Sequence, residues 1–161
     1  MNALRKIDEA VAAVLKYFVT ALCVGIALIL FVRVIIRFTP LTLSLSWTDE
    51  VVEWMMAWMI FTTSSLIMRN GEHFRVDLLE TKLKGTVWLK LLNLFITVIS
   101  IVFFVVLLYY SLDLVIKTNQ FSPILKVTTK LPYSSIPANC ALILLYEIRN
   151  LTVDITKLIK K

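Results

Sequence analysis

Charge along this chain is confined to the margins of long apolar runs. No charged residue occurs from Trp54 to Met68, while Asp49, Glu50 and Glu53 stand before that run and Arg69, His73 and Arg75 after it. At about 1.5 Å rise per residue, the segment from Trp47 to Met68 makes a helix of roughly 33 Å, just above the hydrocarbon thickness of a bilayer. The same pattern predicts membrane spans at about 17–38, 47–68, 89–112 and 135–151. Pro40 stops the first span, Ser46 is placed to cap the second with Asp49 three residues on, and Pro137 falls in the first turn of the fourth. Three flanking segments read as amphipathic interfacial helices. In 3–16, Leu4, Ile7, Val11 and Val14 recur at three- and four-residue spacing opposite Arg5, Lys6, Asp8 and Glu9, and 74–84 and 151–161 behave likewise. The largest predicted loop runs from Asp113 to Tyr133.

The reading is an all-α integral membrane protein of four transmembrane helices, a single membrane domain over 1–161 with no room for a separate soluble domain. Composition agrees, with 59% hydrophobic residues, 17% charged residues and a mean hydropathy of +0.84, a balance that a soluble domain of this size would not keep in solution. Twelve of the 17 Lys and Arg residues fall on the side of the two termini, which the positive-inside rule makes cytoplasmic. The net charge of +6 could suit nucleic acid, but the basic residues are scattered at span ends, where lipid headgroups meet them. The N-terminal apolar run is too long for a signal-peptide core, so it is expected to remain as the first span.

Catalytic chemistry finds little support. One histidine cannot build a two-His metal site, Cys23 and Cys140 lie apart inside apolar runs, and Gly25, Gly71 and Gly85 form no phosphate loop. Ser64 and Ser65 read as helix-packing residues. Neither an enzyme activity nor a cofactor is expected.

The charges between spans one and two are more informative. Arg33 and Arg37, four residues apart on one face, meet Asp49, Glu50 and Glu53 at similar depth, and the expected pairs are Arg37 with Asp49 or Glu50 and Arg33 with Glu53. Three acids against two arginines leave one carboxylate for a partner protein. Trp47, Trp54, Trp58, Met55 and Met59 give span two a large, adaptable surface for such a partner. Spans one and three carry little polarity at mid-depth, only Cys23 and Gly25 in one and Thr97 and Ser100 in the other, and no ionisable residue is placed there. A transporter acting alone would have polar or ionisable groups at that depth, and beyond these few the spans are read as carrying none.

The spelling Trp47, Asp49-Glu50, Trp58, Arg69-Asn70-Gly71-Glu72-His73 and Val76-Asp77 resembles the small membrane subunit, the Q-type or DctQ-like subunit, of the tripartite ATP-independent periplasmic (TRAP) transporters. Glu53 stands where that family usually has Arg, and Thr63 where it usually has Gly. The resemblance implies a scaffold subunit in a bacterial inner membrane, working with a large elevator-type subunit that holds the substrate and sodium sites. A periplasmic protein would deliver a dicarboxylate or sialic acid. It also implies that Arg69, Gly71 and His73 form a structural turn on the cytoplasmic side. The alternative is a self-sufficient homo-oligomeric proton-coupled transporter using Glu50 or Glu53; both fall within about 10 Å of the span-two start, shallow for that role.

Overall fold

The computed structural model describes residues 2–39, 45–69 and 87–159. Their elements are α1 (Asn2–Phe38), α2 (Ser46–Arg69), α3 (Val87–Lys117), the single turn α4 (Lys130–Tyr133) and α5 (Ser135–Ile159). Among the described residues no strand forms beyond an isolated bridge between Phe121 and Thr128.

The expected interfacial segment 3–16 and the first span form one helix of 37 residues. Nothing between Asn2 and Phe38 would break it, since no proline intervenes and Gly25 alone weakens it. Helix α3 continues to Lys117, beyond the predicted end at 112, because Leu114, Val115 and Ile116 are apolar and Asp113 pairs with Lys117 one turn on at 2.8 Å. The segment 151–159 likewise continues α5 without a break, whereas the predicted helix 74–84 lies outside the described residues.

Three stretches, Asp8–Phe38, Ser46–Arg69 and Leu94–Lys117, are long and apolar enough to cross a membrane. Helix α5, at 25 residues, has the length but is interrupted by Asn139, Glu147, Arg149 and Asn150. Packing accounts for the difference. Helix α5 lies against both α2 and α3, so Ser135, Asn139, Cys140, Ile143, Tyr146 and Glu147 are buried along one face. Met68, Phe104, Cys140, Ile143 and Tyr146 form the core between these three helices. By contrast α1, among the described residues, packs along α2 and reaches α5 only through Asp8, and its Val24, Leu28, Phe31 and Val34 are exposed, as are Phe95, Val98, Ile99, Val102 and Val106 on α3. A helix apolar on its outward face in this way is suited to lipid or to another membrane helix.

Helices α1 and α2 form an antiparallel hairpin whose contacts step in opposite directions along the two chains: Asp8 with Arg69, Phe18 with Trp58, Gly25 with Met55, Arg33 with Asp49. Gly25 is required by closeness, because a Cβ there would stand 2.6 Å from the Met55 terminal methyl.

Candidate functional site

Asp49 and Glu50 are neighbours in sequence and therefore point about 100° apart around α2. Asp49 faces α1, where the Arg33 guanidinium donates to both of its carboxylate oxygens. Glu50 faces the 118–129 loop and accepts from the Ser122 hydroxyl and from the backbone N–H groups of Ile124 (3.2 Å) and Leu125 (3.1 Å). The loop is closed on itself by Ser122 N–H to the Val127 carbonyl at 2.9 Å, with Lys126 at a left-handed φ of 54°. One carboxylate thus satisfies two backbone donors and a hydroxyl that apolar neighbours could not.

The expected pairs of Arg37 with Asp49 or Glu50 and of Arg33 with Glu53 are not formed, and the antiparallel register explains why. One turn past Arg33, Arg37 comes level with Leu45, ahead of the first acid, and it is exposed. Glu53 lies on the Glu50 side of α2, away from α1. With side chains 42% and 58% exposed, the Arg33–Asp49 bridge contributes only about 0.2–1 kcal/mol.

Glu50 and Glu53 line a cavity of about 400 Å³ together with Trp54, Phe61, Pro132 and Tyr133. The tryptophans and methionines expected to meet a partner divide. Trp47 is exposed and Met59 half-buried, but Met55 sits on Gly25, and the Trp58 indole N–H donates to the Leu131 carbonyl at 3.2 Å while its ring meets Phe18 edge-on at 6.1 Å. Trp54, Met55 and Trp58 also wall an apolar groove with Phe18, Leu22 and Leu131. Trp58 therefore ties α1, α2 and the start of α4 together.

At the other end of the bundle lies a network that the sequence reading did not find. Asp8 receives Arg69 at 3.0–3.2 Å and Arg149 at 3.3 Å, and Arg149 also donates to the Arg69 carbonyl at 2.9 Å and stacks on Tyr146 at 5.8 Å. Asn150 donates to the Met68 carbonyl at 3.0 Å. Of the expected turn residues, Arg69 belongs to this network, and Gly71 and His73 lie outside the described residues.

Between the two ends, Ser65 Oγ donates to Asn139 Oδ1 (3.1 Å) and Ser100 Oγ to Glu147 Oε1 (2.7 Å). The expectation of predicted spans without ionisable groups at mid-depth is thereby corrected: Glu147, within the predicted fourth span, is fully buried and accepts from Ser100, the midpoint of the predicted third. A signal for it was available. Ser135, Asn139, Tyr146, Glu147 and Asn150 fall on one side of the helix, opposite the exposed Leu145 and Ile148.

The family described as "Tripartite ATP-independent periplasmic transporters, DctQ component" matches residues 26–157, taking in the last third of α1, the whole of α2, α3 and α4, and all but the last two residues of α5. No curated protein matches the chain.

Proposed function

Since the chain belongs to the DctQ component family of the TRAP transporters, we propose that it is the small scaffold subunit of a sodium-driven transporter for organic acids, of dicarboxylate or sialic acid type. It braces a large elevator-type membrane subunit, which takes its substrate from a periplasmic binding protein. The observation that carries this reading is the distribution of polarity. Ser65, Asn139, Ser100 and Glu147 are engaged in hydrogen bonds from helix to helix, while long faces of α1 and α3 are outwardly apolar. Polar groups of this kind hold a bundle rigid, and broad apolar faces enlarge its footprint in the membrane.

The experiment is reconstitution. Alone, the chain should give no sodium-driven uptake; with the large subunit and the binding protein, uptake should appear. Uptake by the isolated chain would sink the scaffold reading. It would also favour the rival small proton-coupled transporter, for which buried Glu147 supplies the ionisable group that Glu50 and Glu53 are too shallow to be.

In this reading α5 is the fourth span, carrying its polar residues inward against α2 and α3, in the bacterial inner membrane. Both termini face the cytoplasm and the 118–129 loop faces the periplasm. With Cys23 replaced by alanine, a cysteine at Asn119 should react with an impermeant thiol reagent in intact cells and one at Thr156 should not; the reverse result would invert the topology.

A further inference from the structure

The cavity beside α2 contains one carboxylate with a role inside the chain and one without. Glu50 is saturated by Ser122, Ile124 and Leu125. Glu53 lines the same cavity, is exposed, and makes no ion pair or hydrogen bond with any described residue. It lies about 10 Å along a helix that is long and apolar enough to span a membrane, a depth at which a carboxylate calls for a counter-charge.

The rest of the lining defines the shape of that counter-charge. Trp54, Ala57, Phe61, Pro132 and Tyr133 supply apolar and aromatic wall, and no lysine or arginine is among the lining residues. A lysine or arginine side chain fits such a site at both ends: its methylene stem packs on apolar wall while its cation meets the carboxylate and the faces of Trp54 and Tyr133. A zwitterionic lipid headgroup fits poorly. Its phosphate would follow the ammonium into a site holding two glutamates and no cation. The volume of about 400 Å³ admits a whole side chain.

We propose that this cavity is a socket for a lysine or arginine side chain of the large partner subunit, with Glu53 as its counter-ion and Trp54 and Tyr133 as its walls. The assignment rests on the scaffold reading above. It goes beyond that reading by placing one contact with the large subunit on the 118–129 loop side of α2, and by giving that contact a charge sign.

A photo-crosslinking benzoylphenylalanine at Tyr133, an aromatic for an aromatic, tests it in the co-expressed complex, with Thr129 as a second position. The expected product is a crosslink to a peptide of the large subunit with lysine or arginine at or beside the linked residue. It should be lost in Glu53→Gln and kept in Arg37→Gln, the exposed charge away from the socket. Co-purification of the two subunits is read in parallel. A complex that forms without a Glu53-dependent crosslink, or with a crosslink to lipid, overturns the socket and leaves the scaffold reading standing; failure of the subunits to co-purify overturns both.

Discussion

Glu147→Ala should lower the unfolding free energy of the purified protein by about 3 kcal/mol, whereas Glu147→Gln should cost less than about 1 kcal/mol. The asymmetry follows from what each change leaves behind. Glu147 is fully buried between α3 and α5, and its Oε1 accepts from Ser100 at 2.7 Å. Truncation to alanine opens a void in a bundle that water does not readily enter and removes the acceptor from a buried hydroxyl. Glutamine retains both the volume and the carbonyl acceptor. Leucine, which fills the volume without the acceptor, should fall between the two. Denaturant unfolding in detergent micelles reads the series. If glutamine and alanine prove equally costly, the charge of Glu147 matters to folding and its hydrogen bond to Ser100 does not.

That contact also marks the boundary of what the chain reveals before it folds. Helices α1, α2 and α3 are legible because each is apolar around most of its circumference, so length and hydropathy suffice to find them. Helix α5 is harder, since its polar stripe faces two neighbours, and a hydropathy reading sees only a weaker span ending near Leu151. Partner choice is less legible still. Asp49 and Glu50 look equivalent as adjacent acids, yet the 100° between them sends one to Arg33 and the other to a loop more than seventy residues away. Which arginine meets which acid depends on the register of the α1–α2 hairpin, and Gly25 against Met55 and Phe18 against Trp58 fix that register. Charge counting does not contain this information. The count of three acids against two arginines, with Arg33 assigned to Glu53, leaves Asp49 or Glu50 over; in the structure Arg33 takes Asp49, the 118–129 loop takes Glu50, and Glu53 is the acid that makes no ion pair or hydrogen bond with any described residue.

The Asp8 network is the least legible feature, because it joins residues from both ends of the chain, and Asp8 lies outside the stretch that matches the family. Asp8→Ala should destabilise the protein by about 2 kcal/mol, more than loss of the Arg33–Asp49 bridge, because it leaves two guanidiniums facing each other without the anion between them. Asp8 and Arg69 are only 26% and 23% exposed, against 58% and 42% for Asp49 and Arg33, so water screens the Asp8 network less. Arg69 should matter more than Arg149, since it holds Asp8 through three contacts at 3.0–3.2 Å while Arg149 makes one at 3.3 Å and is half exposed. In a double-mutant cycle, Asp8→Ala with Arg69→Leu should therefore cost less than the sum of the single changes, with a coupling of at least about 1 kcal/mol that survives added salt. A coupling within error of zero, or one abolished by salt, would reduce the network to ordinary surface pairing. The start of α1 would then be held by its packing along α2 alone.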